Sequence, residues 1–379
     1  MLHRFNNLIR PLTTTARTSS IMDALVQRSI QLVADKKRPS IPWKLDEPWH
    51  QPYYIHDGDK WTAREAKPLD TPPSANISKL ALHSWNIDFM LPFPESRMKA
   101  GLRYLQKHVV QSEDTAVAIY LQECVESDLK TVSEQPWIQQ NFCISDIDIS
   151  NWASGHYGTI TLLSRSTPPT SLFRVHYSAT KMERDVLISD IQVASPSQQQ
   201  DPFTIRLCNS HLESMAFTPA LRPPQVSLIA SYMHQSPKIS AAVAAGDFNA
   251  IQPFDKTLHS DNNLLDAYLE SGGKEGDTEG HTWGQQASTV LRERFGTSRM
   301  DKVYYTPPAS EGQGSLKLAK FGYFGRDVVV EDEKEAEEIM NLGFEKAWVT
   351  DHLGVEAVFE IVDGSQKESG QRSQEQASL

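Results

Sequence analysis

The feature that most constrains this chain is a recurring arrangement in which an apolar, β-branched or aromatic run leads directly into a short polar segment. Ala116-Val117-Ala118-Ile119-Tyr120 runs into Leu121-Gln122-Glu123, and Ala241-Ala242-Val243-Ala244-Ala245 runs into Gly246-Asp247-Phe248-Asn249. Four more segments have the same character: Ser84-Trp85-Asn86-Ile87-Asp88, Ser210-His211-Leu212-Glu213, Met300-Asp301-Lys302-Val303 and Thr350-Asp351-His352-Leu353-Gly354. The polar groups therefore sit where strands leave a sheet, which is where α/β proteins build their sites.

Between residues 79 and 360 strand-like and helix-like pieces alternate. Residues 79–86 read as a strand and 95–111 as a helix, whose period comes from Met98, Leu102, Leu105 and Val109. Further strands are expected at 117–122, 159–164, 171–176, 186–193, 203–210, 243–247, 302–305, 316–321 and 354–361. Many strands with few helices between them favour two packed sheets with helices outside over a doubly wound parallel sheet.

A chain of 379 residues, 39% hydrophobic, can bury a substantial core. Its net charge of -11 argues against a broad basic face wrapped around nucleic acid, because such affinity scales with the phosphates neutralised. The three cysteines, Cys124, Cys143 and Cys208, have no CxxC spacing and suit a reducing compartment. There is no apolar run of about 18 residues, so a soluble protein without a membrane span is expected.

Outside the central segment the character changes. Residues 1–22 carry Arg4, Arg10 and Arg17, many Ser and Thr, and no acid, the composition of a mitochondrial transit peptide or of a disordered tail. Residues 23–78 form an N-terminal extension that opens with an amphipathic helix over 22–35. It continues through Pro39, Pro42, Trp43, Pro48, Trp49, Pro52 and Trp61 as extended chain rather than helix or regular sheet, its tryptophans docked on the domain that follows. The catalytic domain is expected over 79–362, and 363–379 is a disordered tail. The six acids between Glu331 and Glu338 read as a solvated helix face.

The polar strand ends contain the residue types that phosphodiester hydrolysis requires: a water placed in line with phosphorus, neutralised non-bridging oxygens, and a stabilised leaving oxygen. A hard cation such as Mg²⁺ prefers carboxylate and amide oxygens, so Glu123 with Asn86 makes a minimal cradle. Each residue alone has an ordinary explanation. Glu123 could be a solvated edge, His211 a hydrogen-bonded core histidine, and Asp247-Phe248-Asn249 an Asx turn.

Taken together, Asn, Glu, His, Asp-x-Asn, Asp and Asp-His in that order resemble the endonuclease/exonuclease/phosphatase superfamily over roughly residues 80 to 360. The resemblance implies a four-layer α/β sandwich of two mixed β-sheets flanked by helices, with the site at one mouth. It implies that Asn86, Glu123 and Asp351 hold Mg²⁺, with Mn²⁺ as a substitute, and that Asp247 orients or deprotonates the attacking water. Asn249 would contact the scissile phosphate, His211 would donate to a phosphate oxygen, and His352, held by Asp301, would stabilise the transition state.

Within the superfamily the chain is most similar to the tyrosyl-DNA phosphodiesterases, through Trp85-Asn86-Ile87-Asp88, Ser210-His211-Leu212-Glu213-Ser214, Thr180-Lys181-Met182-x-Arg184 and His281-Thr282-Trp283. That likeness implies removal of a 5′-tyrosyl adduct from DNA ends, preferably single-stranded, by a monomer in the nucleus or cytoplasm, or in the mitochondrion given residues 1–22. Arg184 would face the tyrosine and Trp283 would stack on a base, although an ion pair and simple packing account for these two residues as well. The chain departs from the pattern at Ala250-Ile251-Gln252, where the relatives carry Leu-Arg-Asp, so a basic residue near the substrate path is missing. Nothing in residues 1–78 resembles the ubiquitin-binding segment of animal relatives.

Other substrates within the superfamily are RNA 3′ ends, abasic DNA, inositol phosphates and phospholipid head groups. Two readings from different classes stay open: a binding module that has lost catalysis, and a subunit gripping partners through an exposed Trp43–Trp61 patch.

Overall fold

The computed structural model describes residues 41–68, 77–195, 202–235, 238–308 and 314–362. The described residues from Pro42 onward belong to one compact unit. Its strands are β1 (Pro48–His50), β2 (Tyr53–His56), β3 (Trp61–Arg64), β4 (Lys79–Asn86), β5 (Thr115–Cys124), β6 (Phe142–Ile144), β7 (Gly158–Ser164) and β8 (Ser171–His176). They continue as β9 (Asp185–Val193), β10 (Phe203–Ser210), β11 (Ala241–Asp247), β12 (Leu265–Asp266), β13 (Asp301–Tyr305), β14 (Ser315–Phe324) and β15 (Gly354–Val362). The helices are α1 (Pro94–His108), α2 (Glu126–Ser133), α3 (Pro136–Asn141), α4 (Arg222–Met233), α5 (Leu258–Asp261), α6 (Ala267–Glu270), α7 (Thr289–Phe295) and α8 (Glu333–Asn341). The segment 1–22, the helix expected over 22–35 and the tail 363–379 lie outside the described residues.

Two mixed sheets form. The seven-stranded sheet runs β1-β8-β9-β10-β11-β13-β12 and the eight-stranded sheet runs β14-β15-β4-β5-β7-β6-β2-β3. The central pairs β4/β5 and β10/β11 are parallel, and the other pairings are antiparallel. Because side chains alternate between faces along a strand, a central strand with apolar residues at every position feeds two cores. Leu80 and Leu82 of β4 enter the core between the sheets, with Ala118 and Tyr120 of β5 and Val243 and Ala245 of β11. Ala81, Trp85, Val117 and Ile119 point the other way, under Met98, Leu102 and Leu105 of α1. On the far side Ala242 and Ala244 pack against Val226 and Ile229 of α4. Each fully buried side chain of this size contributes roughly 1.5–3 kcal/mol, which makes the central strands the firmest part of the scaffold. The result is the expected four-layer sandwich of two sheets flanked by helices.

One expectation is corrected. The Pro- and Trp-rich stretch is not chain outside regular sheet: β1 pairs antiparallel with β8, and the β2–β3 hairpin extends the other sheet through β6. Proline does not prevent this pairing, because Pro48 opens the edge strand β1 and Pro52 lies just before the first residue of β2, positions where a missing N–H breaks no ladder. The tryptophans are docked as expected. Trp43 is buried and stacks on His176 at 4.1 Å, Trp49 Nε1 donates to Asn151 at 3.3 Å, and Trp61 Nε1 donates to the Ser133 carbonyl at 3.0 Å. This packing removes the idea of a partner-gripping patch. The acidic run is a solvated helix face: Asp332 caps α8 by accepting from the Lys334 and Glu335 amides, and Ile339 is buried.

Asp128 offers a test of how burial sets stability. Its Oδ2 accepts the Val125 amide at 2.8 Å, while its buried Oδ1 has no hydrogen-bond partner among the described residues. Burial pushes its pKa up to about 6, against 3.8 for a free carboxyl. A raised carboxyl pKa means that stability is fully present below the unfolded value and is lost as pH rises through the folded one. Over that window of about two pH units the group costs on the order of 3 kcal/mol. Urea melts should therefore show Asp128→Asn more stable than the parent at pH 7, with the gap closing near pH 4. A gap that does not change with pH would refute this account.

Candidate active site

The topology gathers the polar strand ends at one mouth. The parallel pairs deliver Asn86 and Glu123 from one sheet and Ser210-His211 and Asp247 from the other. The antiparallel neighbours begin where those strands end: Asp301 of β13 pairs with Asp247, and β15, which starts just after His352, lies beside β4. The six strand-end candidates from the sequence, Asn86, Glu123, His211, Asp247, Asp301 and His352, together with Asn249, Asp351 and Arg184, are thus brought into one cluster by geometry.

Local backbone choices aim the side chains. In β5 the register with β7 breaks between Leu121 and Cys124, and Glu123 adopts φ 59, so a bulge turns its carboxylate into the mouth. Gly246 has φ 149, and a Cβ there would lie 1.8 Å from the Ser210 carbonyl oxygen, so only glycine lets β10 and β11 approach this closely. Asn249, at φ 48, donates its amide N–H to Asp247 Oδ1 at 2.8 Å and its Nδ2 to the Leu212 carbonyl at 3.1 Å. The Asx turn is therefore real, and it is also what places Asn249 beside Asp247.

Asp247 is the hub. Its Oδ2 receives Asn86 Nδ2 at 2.9 Å and lies 3.3 Å from His211 Nε2 and 3.7 Å from His352 Nε2. His211 Nε2 is also 3.5 Å from Glu123 Oε1, whose partner oxygen accepts the Phe89 amide at 2.9 Å. Arg184 Nη1 contacts His211 Nδ1. Arginine only donates, so Nδ1 must accept and Nε2 carries the proton that points at Asp247. On the other side His352 Nδ1 bonds Asp301 Oδ2 at 2.8 Å, and His352 Nε2 is 3.8 Å from Asp351 Oδ1.

The electrostatics divide the acids. Burial alone would protonate Asp247, but His352, His211 and the Asn249 amide outweigh it and hold the carboxyl below the usual range. Burial alone would likewise strip His352 of its proton, but Asp301 and Asp247 hold the imidazolium well above the ordinary histidine value. Asp88 goes the opposite way, pushed up to about 8 by burial and by the Asp351 and Glu123 carboxylates. Burial also raises Asp351, with Glu123 and Asp247 adding to the effect. Crowded carboxylates without enough positive charge among them suit a hard divalent cation, and the donors offered by Glu123, Asp351 and Asn86 Oδ1 are all oxygens.

Several positioning residues escaped sequence reasoning. Arg97 of α1 donates to the carbonyls of Ile87, Asp88, Leu91, Pro92 and Val349, tying the loop after β4 to the segment before Asp351. Thr350 donates to the Asn86 carbonyl at 2.8 Å, and Thr282 Oγ1 accepts the Asp301 amide at 3.0 Å. Glu213, fully buried, accepts Thr180 Oγ1 at 2.6 Å and the Lys181 amide at 3.0 Å, which fixes the loop that carries Arg184. Asp88, Glu213 and Thr282 lie within motifs the sequence singles out, and a polar residue set beside apolar ones is the signal each offers. Arg97 gave none, since one arginine in an amphipathic helix reads as surface.

Arg184 and Trp283 answer their open alternatives in part. One face of the Arg184 guanidinium lies over the Tyr157 ring at 4.9 Å, and Phe89 stacks on Tyr157 at 4.4 Å, beside a narrow cleft bordered by Gly158, Glu183 and His211. Trp283 is half-buried, and its Nε1 donates to Asp351 Oδ2 at 2.6 Å. Past Asn249 a hollow of about 280 Å³ opens, lined by Ile251, Lys256, His281, Arg299 and Lys302 among others.

Two sheets thus bring carboxylates, amides and an Asp-held imidazolium to a shared mouth, where oxygen donors could hold a divalent ion and N–H donors could meet an anion. The model of the Endonuclease/Exonuclease/phosphatase family matches residues 83–352, and the chain belongs to that family. Over 254 residues it is 24% identical to human (Homo sapiens) Tyrosyl-DNA phosphodiesterase 2, covering 66% of this chain and 64% of the human one. The chain thus spans less than two thirds of that relative. Among solved structures it is similar to TDP2 of D. rerio complexed with single strand DNA product, with a TM-score of 0.54 and 17% identity over 75% of this chain and 99% of that one. It is similar as well to TDP2 of Caenorhabditis elegans, with a TM-score of 0.52 and 21% identity over 74% of each chain. At these identities the structures show a shared fold.

The Asp301–His352 pair gives a direct prediction. Its carboxylate is a main reason for the raised His352 pKa, so Asp301→Asn should make the imidazole lose its proton at lower pH than in the parent. Ring resonances followed by NMR across pH 5 to 10 would check this. Unchanged titration would show that Asp301 does not hold the charge.

Proposed function

We propose that this protein is a Mg²⁺-dependent phosphodiesterase that hydrolyses the 5′-phosphotyrosyl bond of protein–DNA adducts and leaves a 5′-phosphate. The observation that carries the reaction class is the ionised Asp247 held between His211 and the charged His352, with Glu123 facing it across the mouth. Asp247, kept deprotonated, orients a water and takes its proton as the water oxygen bonds to phosphorus. His211 Nε2–H and the Asn249 side chain donate to the non-bridging oxygens. His352, its Nδ1–H held by Asp301, offers Nε2–H to the negative charge that builds in the transition state. The bond from phosphorus to the tyrosyl oxygen breaks, and the phenolic oxygen leaves with the protein remnant.

Glu123, Asn86 and Asp351 would hold Mg²⁺, or Mn²⁺ in its place, and the ion would neutralise phosphate charge there. The tyrosyl reading is supported by the likeness of the Thr180–Arg184 segment to the tyrosyl-DNA enzymes and by the docking of Arg184 against His211 and Tyr157. A single strand would leave through the hollow beyond Asn249, whose lysines and arginine face the missing basic position after Asn249. We assign the protein to the nucleus or cytoplasm, with residues 1–22 as the reason to examine the mitochondrion.

Release of tyrosine from a 5′-tyrosyl single-stranded oligonucleotide should be fast with Mg²⁺ and abolished by EDTA. Asp247→Asn and His352→Ala should each slow it at least about a hundredfold, and Glu123→Gln should raise the Mg²⁺ requirement. Near-parental activity in Asp247→Asn would overturn the assignment. Cleavage of a nitrophenyl phosphodiester without tyrosine release would move the substrate to RNA, abasic DNA, inositol or lipid. Arg184→Ala should reduce tyrosyl cleavage more than nitrophenyl cleavage, and equal losses would remove its selective role.

A further inference from the structure

We propose that His83, His108 and Glu356 form a second metal site, selective for a borderline transition ion such as Zn²⁺, on the outer face of the eight-stranded sheet. His83 of β4 and Glu356 of β15 are directly paired across the ladder, and His108 ends α1 above them. His108 Nε2 lies 2.8 Å from Glu356 Oε2, His83 Nδ1 lies 3.5 Å from the same oxygen, and one ligand atom from each residue falls within 4.8 Å of the others. Tetrahedral Zn²⁺ with bonds of about 2.0–2.1 Å spaces its ligands about 3.3–3.4 Å apart, so the His83–Glu356 spacing already fits, the His108–Glu356 contact would open by about half an ångström, and the two imidazoles, within 4.8 Å of one another, would settle to the same spacing.

An independent observation points to a missing ligand. His83 is 5% exposed, its Nδ1 is aimed at Glu356, and that buried nitrogen makes no hydrogen bond among the described residues. A neutral imidazole has one donor and one acceptor nitrogen, and a buried one left unmatched is costly unless something fills the place.

The surroundings hold the three groups ready. His108 packs on Tyr104 at 5.4 Å and on Phe324 at 5.1 Å, two rings that also pack on one another at 6.3 Å, and the Phe324 ring meets His83 edge-on at 5.8 Å. Lys320 bonds Glu356 Oε1 at 2.6 Å, which fixes the carboxylate and leaves Oε2 for a ligand, as outer partners of ligating carboxylates do. The site lies at the C-terminal end of α1, where the helix dipole favours a cation. Its entry path is the His108 side, 25% exposed. Two imidazoles and one carboxylate favour Zn²⁺ over Mg²⁺, in contrast to the oxygen donors at the mouth. Phe324 also packs on Trp85 at 5.5 Å, and Trp85 Nε1 donates to the His352 carbonyl at 3.1 Å, so an ion here would brace the strand that leads to Asn86.

Zn²⁺ titration of the full chain by calorimetry tests this, using Glu123→Gln/Asp247→Asn protein so that the mouth does not compete. One equivalent should bind, with a rise in melting temperature that Mg²⁺ does not reproduce, and Co²⁺ should give the visible band of a tetrahedral ion. His108→Gln, at a partly exposed position, should keep its fold by circular dichroism and weaken Zn²⁺ at least about tenfold; Glu356→Gln should act in the same direction. Absence of Zn²⁺ binding in the doubly substituted protein would overturn the proposal. So would Zn²⁺ affinity unchanged by both His108→Gln and Glu356→Gln.

Discussion

Everything at the mouth depends on the two sheets being locked in relative position. One sheet supplies Asn86, Glu123, Asp351 and His352, and the other supplies His211, Asp247, Asn249 and Asp301, so the cluster exists only at one alignment of the two. An apolar core alone allows small slips, because its contacts are not directional. The alignment comes from polar bridges through that core: Gln122 Nε2 reaches Ser84 at 3.1 Å and crosses to Asn209 at 2.9 Å, while Asn209 donates back to the Ile160 carbonyl at 2.8 Å. Each of these buried amides has a high cost if its partner moves away, which makes the bridge a specific latch. The Asn86–Asp247 bond continues the same seam into the site.

The seam explains why Asp247 is held ionised while burial pushes Asp88 and Asp351 the opposite way. Asp247 lies where both histidines reach it, whereas Asp88 and Asp351 lie on the side with Glu123 and little compensating positive charge. The site is therefore split into a half with excess negative charge, suited to a cation, and a half with donors aimed at an anion. In the proposed reaction a phosphate would span the two.

The strands around the mouth were legible because fully buried central strands leave continuous apolar runs, with polar segments following directly at their ends. The boundaries of β4, β8 and β10 agree with expectation, and α1 stops three residues short of it because Val109 turns to extended backbone. The short strands of the N-terminal extension were not legible. β1, β2 and β3 are only 3 to 4 residues long and mostly half-exposed, with prolines beside them, so they lack both alternation and apolar length. The site residues were readable as types at strand ends. Their supports, Arg97, Glu213 and the positive φ of Glu123, depend on which loops meet, and single-chain periodicity carries no such information.

The departure after Asn249 shows how a local loss can be met from elsewhere in the fold. Ala250-Ile251-Gln252 leaves no cation next to Asn249, but Lys256, Arg299 and Lys302 line the hollow that begins there. Arg299 is bonded to Asp266 at 2.8 Å and paired with Glu275, and Lys302 lies 4.0 and 3.7 Å from the same two acids. Two cations sharing two acids leave the hollow with little net charge to offer until Lys256 is counted. Burial and the neighbouring Arg299 also lower the Lys302 pKa, to about 8, so its charge is less firmly held than that of a surface lysine. The path beyond Asn249 is thus weakly basic, which suits the proposed grip on a few nucleotides at an end better than binding along a long duplex.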